Sequence, residues 1–69
     1  MSDINKKTGQ KIREIRVKKG WSQEKLALEA DLHRAYIGQI ERGEKNIGLK
    51  NLEKVTIALK IRIKELFNG

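Results

Sequence analysis

Side chains able to do covalent or metal chemistry are scarce in this chain. It holds one His, no Cys and no Pro. His33 has Asp31 and Arg34 near it in sequence, but the available Ser and Thr residues suggest no nucleophile–base constellation with it. The six glycines are scattered and form no phosphate-cradling loop. A lone His does not make a zinc site, and without Cys there is neither a thiolate ligand nor a disulfide. The chain is therefore expected not to be an enzyme and to need no metal or cofactor. What it has in quantity is positive charge: 16 Lys and Arg against 9 Asp and Glu, a net +7 on 69 residues. Nucleic acid is the commonest partner for such a field, because each neutralised phosphate releases counterions. A ribosomal association, an anionic membrane surface or solubility alone would use the same charge. The cations interleave with Glu and with a regular apolar pattern, so they decorate a folded domain and not a basic tail.

The elements that must position these charges read as helices. A chain of 69 residues is one small domain, and a domain of this size buries only roughly 60% of its unfolded surface. No apolar run approaches the roughly 18 residues that span a bilayer, and no segment reads as a secretion signal. A soluble, cytoplasmic protein is expected. Ile12 and Ile15 mark the apolar face of a helix over Thr8–Lys19, which Gly20 stops. Ser22 is a good N-cap for a second helix, Gln23–Ala30, with Leu26, Ala27 and Ala30 facing inward. After the break at Asp31–His33, a third helix over Arg34–Arg42 buries Ile37 and Ile40 and ends at Gly43. Glu44–Gly48 reads as a loop. Leu49, Leu52, Val55 and Leu59 lie on one stripe of a fourth helix, and Ile61, Ile63, Leu66 and Phe67 suit a short fifth that closes the core. Met1–Asn5 have little to hold them and are expected to be mobile. The fold class is all-α, a compact five-helix domain over residues 1–69.

The stretch from Gln23 to Arg42, a helix of about eight residues, a three-residue turn and a second helix, has the geometry of a helix-turn-helix. Ala27 is small where the two helices approach. Leu32 plugs the core from within the turn. Asp31 sits where the turn wants a left-handed backbone, a position where Gly is the default and Asp is tolerated.

Trp21-Ser22-Gln23-Glu24-Lys25-Leu26-Ala27 followed by Tyr36-Ile37-Gly38-Gln39-Ile40-Glu41-Arg42-Gly43 resembles the phage Cro and repressor type of helix-turn-helix, the XRE family. The resemblance covers residues 8–67 and runs on through Asn46, Leu49, Leu52 and Leu59 to Glu65-Leu66-Phe67. A narrower set, His33-Arg34-Ala35-Tyr36-Ile37-Gly38 with Glu41-Arg42-Gly43 and Asn46-Ile47, is similar to the controller proteins of restriction–modification systems, which are small dimeric autoregulators. Two positions depart from the pattern. Lys60 stands where a Gly often ends the fourth helix, and Arg62 where a Ser or Thr often caps the fifth.

The resemblance implies a repressor-like fold and a set of roles. The third helix would lie in the major groove of double-stranded DNA, with Arg34, Ala35 and Gln39 at base edges. Arg grips guanine O6 and N7 with two hydrogen bonds, Gln does the same to adenine, and Ala touches a thymine methyl. Gln23, Tyr36, Arg42, Lys45 and Asn46 would contact phosphates, with partial burial of Tyr36 and loop hydrogen bonds of Asn46 as the alternatives. His33 would donate to DNA or cap the third helix. Arg16 of the first helix would pair with Glu41 at the end of the third, a structural role, and Trp21 would wedge between the first two helices. Lys18 and Lys19 read as a solvated face. A homodimer on a palindromic operator is implied, its interface drawn from Ile57, Ile61, Ile63, Leu66 and Phe67, with transcription controlled by blocking or recruiting RNA polymerase. Two rival readings keep the same fold: an antitoxin-like or other protein-interaction module, and a non-specific nucleic-acid binder.

Overall fold

In a computed structural model, residues 3–67 are described. They form α1 (Asp3–Lys18), α2 (Gln23–Ala30), α3 (Arg34–Glu41) and α4 (Leu49–Leu59), followed by a single 3₁₀ turn over Ile63–Leu66. No strand occurs among the described residues. None of their helices is long and apolar enough to cross a membrane.

The expectation of five helices is corrected to four α-helices and one 3₁₀ turn. The last segment buries only Leu66, while Ile63 and Phe67 point outward at 44% and 50% exposure. One turn is enough to insert a single side chain, and four residues cannot build an i→i+4 ladder. Its start is tied by Glu65, whose carboxylate accepts the Arg62 backbone N–H at 2.7 Å. This is one half of a capping box, and it replaces the Ser or Thr that position 62 lacks.

The second correction concerns α1, which begins at Asp3 instead of Thr8. Of the segment expected to be mobile, Met1 and Ser2 lie outside the described residues, and Asp3–Asn5 form the first turn of the helix. Just after this turn, at Lys6 and Gly9, α1 meets the end of α3. A Cβ added to Gly9 would stand 2.0 Å from the Ile40 carbonyl oxygen, so only Gly lets the two backbones come this close. Gly43 repeats the device from the other side: its φ of +75° suits Gly, and a Cβ there would stand 3.0 Å from Lys6 Cα.

The core is one cluster drawn from every element: Ile12, Leu26, Ala27, Ala30, Ile37, Ile40, Leu52, Val55, Leu59 and Leu66. The inward face of α4 is Leu52, Val55, Thr56 and Leu59, an i, i+3, i+4, i+7 stripe. Leu49, expected on that stripe, is instead 84% exposed. It is the first residue of α4, beyond the edge of the core that its helical phase would otherwise reach. α2 ends on Asp31 at φ 57° and α4 on Lys60 at φ 58°, both left-handed. Both caps close with their own N–H groups, Asp31 donating to the Ala27 and Leu28 carbonyls and Lys60 to those of Thr56 and Ile57.

Candidate nucleic-acid interface

α3 is the element on which the expected base contacts converge, and its sequence divides it cleanly. Ile37, Gly38, Ile40 and Glu41 are buried, whereas Arg34 and Ala35 are exposed and Gln39 is half-buried. Residues four apart share a face, so Ala35 and Gln39 stand one above the other, with Arg34 at the open N-terminal end. His33 is the N-cap residue, but its side chain makes no capping bond. The capping role expected of it is therefore absent.

What fixes this helix is a buried polar network at its far end. Arg16 Nε donates to Glu41 Oε2 at 2.6 Å and Arg16 Nη2 to Glu41 Oε1 at 3.0 Å. Arg16 Nη1 donates to the Trp21 carbonyl at 2.7 Å. Gln23 Nε2 adds a bond to Glu41 Oε1 at 3.0 Å. Arg16 and Glu41 are 8% and 7% exposed, and no buried side-chain polar atom among the described residues lacks a partner. The bidentate pair is the strong form of such contacts. Through the Glu41 carboxylate and the Arg16 guanidinium, the network joins α1, the α1–α2 turn, the start of α2 and the end of α3. Gln23, expected at a phosphate, spends one amide hydrogen on this network and keeps the other. No pattern at Gln23 announces that bond; it follows from the start of α2 lying against the end of α3.

Tyr36 is half-buried against the core, and its hydroxyl accepts from Asn51 Nδ2 of α4 at 3.1 Å. That leaves the phenolic hydrogen to donate. Asn51 is a positioning residue that sequence reasoning missed, since nothing within the α4 pattern marks it. Trp21 packs on the core from a half-buried place. The ammonium groups of Lys19 and Lys25 each lie over its ring, 5.6 Å from the centroid, so Trp21 is a cation–π site as well as a wedge. Lys45 and Asn46 are exposed in the loop after α3. Arg42 is engaged there by Glu44, with Nε–Oε2 at 2.7 Å. The hydrogen bond to Arg42 holds the Glu44 carboxyl below its ordinary range, and the same contact raises the Arg42 guanidinium.

Residues 12–66 match the family described as Helix-turn-helix. This chain belongs to it, in its XRE-type branch. The helix-turn-helix chain is 54% identical over 61 residues to the control protein C.BamHI of Bacillus amyloliquefaciens, covering 87% of this chain and 75% of that one. It is 42% identical over 69 residues to the control protein C.MunI of a Mycoplasma species, covering 99% and 93%. The crystal structure of the restriction–modification controller protein C.AhdI from Aeromonas hydrophila superimposes with a TM-score of 0.89 at 48% identity, covering 91% and 96%. The helix-turn-helix proper is α2, the left-handed turn at Asp31, and α3. The family is one of regulators and not of enzymes, and the described residues contain no His, Cys, Asp and Glu cluster able to hold a metal.

Of the residues expected at a dimer interface, Ile57, Ile63 and Phe67 are exposed and Ile61 is half-buried. Leu66, at 4% exposure, belongs to the monomer core. Its inward direction follows from the single turn that carries it. Leu49 is also exposed, on the same helix as Ile57.

Proposed function

We propose that this helix-turn-helix regulator binds a palindromic operator in double-stranded DNA as a homodimer and controls a restriction–modification operon that includes its own gene. The observation that carries the reading is the α3 face: Arg34, Ala35 and Gln39 turned outward on a helix clamped by the Arg16–Glu41 pair. Arg34 reads guanine and Gln39 reads adenine by paired hydrogen bonds, and Ala35 meets a thymine methyl. Gln23, Tyr36, Arg42, Lys45 and Asn46 hold the phosphate backbone on either side and set the register.

One recognition helix reads too few base pairs for specificity in a genome. Two related by a two-fold axis, about 34 Å apart, read both halves of a palindrome on one face of the duplex. Ile57, Ile61, Ile63 and Phe67, joined by Leu49, supply the apolar surface for that pairing. RNA polymerase is the downstream partner, excluded or recruited according to where the operator lies. A DNA ligand implies a cytoplasmic, nucleoid-associated protein.

A mobility-shift assay against the DNA upstream of its own gene, with non-specific competitor present, tests the reading. Wild-type protein should give a discrete complex that survives competition. Arg34→Ala should abolish discrimination between operator and competitor; equal weakening on every duplex would instead assign Arg34 to phosphate. Binding should fall steeply with salt, by about 0.9 log units per neutralised phosphate for each log unit of salt.

A further inference from the structure

Arg42 follows α3 at the edge of the recognition face, and its guanidinium is already gripped. Nε donates to Glu44 Oε2 at 2.7 Å and Nη2 to Glu44 Oε1 at 3.2 Å. Two planar oxygens facing Nε and Nη2 is also how a guanidinium holds a phosphate. Both side chains are near half exposure, 58% for Arg42 and 48% for Glu44, so water competes for the pair and it is easily exchanged. The other end of the guanidinium lies over Gly38. Arg42 Nη1 is 3.1 Å from where a Gly38 Cβ would stand, and Gln23 Oε1 is 3.5 Å from the same point. The missing side chain at position 38 thus leaves a notch that holds the guanidinium beside the amide of Gln23, on the surface proposed to meet the DNA backbone.

We propose that Glu44 is an internal stand-in for a DNA phosphate: it holds Arg42 in its binding orientation in the free protein and yields it when a duplex docks. The proposal rests on the reading of Arg42 as a phosphate contact. Exchange has a definite electrostatic consequence. The free pair is neutral, so Arg42 attracts few counterions before binding. When a phosphate takes Glu44's place, the released carboxylate lies close to the duplex, is repelled by it, and gathers a cation of its own. Glu44 therefore restrains the affinity of a chain whose net charge of +7 would otherwise favour any duplex.

The test is a fluorescence-anisotropy titration of wild type, Glu44→Gln, Arg42→Gln and the double variant with a labelled mixed-sequence duplex over a series of NaCl concentrations. Glu44→Gln should bind at least about threefold tighter, with a salt slope steeper by up to about 0.9. In the Arg42→Gln background the same substitution should give clearly less on both readouts. Equal gains with and without Arg42 would overturn the proposal, because Glu44 would then act only as a distant like charge. If Arg42→Gln alone leaves affinity and slope unchanged, the assignment of Arg42 to phosphate fails, visibly and separately from the cycle, and the proposal falls with it. Thermal melts of all four proteins should coincide, since the pair lies at the surface.

Discussion

The two halves of this small domain share one apolar core but differ in what is added to it. From α1 to Gly43 the backbone is pinned by specific contacts: the bidentate Arg16–Glu41 pair, the Gln23 bond that joins it, and two glycines where α1 and the end of α3 nearly touch. From α4 onward the chain is held by apolar insertion of Leu52, Val55, Leu59 and Leu66, and it leaves Leu49, Ile57, Ile63 and Phe67 exposed. The first half also supplies Ile12, Leu26, Ala27, Ala30, Ile37 and Ile40 to the shared core, and it exposes Ile4, Val17 and Leu28. The second leaves four large apolar side chains at 44–84% exposure. A recognition helix must keep its angle before DNA arrives, and a dimerising surface is completed only by its copy. The contrast fits the proposal of separate reading and pairing surfaces.

The largest effect should come from the clamp. Glu41→Ala strands the Arg16 guanidinium in a nearly dry site and should cost about 3–5 kcal/mol. For a domain whose total stability lies within about 5–15 kcal/mol, much of the folded population would be lost on heating. Circular-dichroism melts would register this as a fall of well over 10 °C, at about 4–8 °C per kcal/mol. Replacing both partners with apolar residues, Arg16→Met with Glu41→Leu, should recover most of the loss. A double variant as unstable as the single one would mean that the network acts through more than the stranded charge. Gly9→Ala comes next. Its Cβ would overlap the Ile40 carbonyl oxygen, and forcing the helices apart should cost about 1–3 kcal/mol. It should weaken operator binding beyond what the melt explains, since α3 shifts with its contact. Unchanged affinity would separate the packing of α1 from the aim of α3.

In the other half the prediction is different in kind. Ile57→Asp should leave the melting of the isolated domain within about 0.5 kcal/mol of wild type, as an exposed substitution. It should nevertheless weaken self-association by at least tenfold, which is about 1.4 kcal/mol. Sedimentation at micromolar protein reads this directly. If Ile57→Asp dimerised like wild type, the exposed face of α4 would not be the pairing surface.

How much of this was legible in the sequence follows the same division. The bounds of α2, its Ser22 cap and the turn at Asp31 were readable because capping and left-handed positions leave local signatures. The Arg16–Glu41 pair, 25 residues apart, was reached only through resemblance to a family, since no local spacing links the two. Gln23's bond to Glu41 and the Asn51–Tyr36 bond are tertiary accidents of which helix ends lie together. Gly9 has no positive φ and no turn to advertise it; its reason is the Ile40 carbonyl, which only the folded chain supplies. The start of α1 was missed for the same cause, because Asp3–Asn5 belong to a helix held in place further along. The outward direction of Leu49 was misjudged because helical phase says which side a residue faces but not where the core ends.

The smallest effect is also the one of opposite sign, and it tests the looser half alone. Lys60 ends α4 at φ 58°, in a region that costs a side chain about 1–2 kcal/mol. Its backbone N–H still donates to the Thr56 and Ile57 carbonyls, so the cap is formed and only the conformation is strained. Lys60→Gly should keep that cap and relieve the strain. Part of the gain is offset by the greater freedom of Gly in the unfolded chain, leaving a net stabilisation of about 0.5–1 kcal/mol. On a domain of this size that is a rise of a few degrees in Tm. Asp31→Gly, at the matching position of α2, should give less, because Asp tolerates the left-handed region better than Lys. If the two substitutions helped equally, side-chain type would not matter at these caps, and the strain assigned to α4 would be no greater than that of the recognition half.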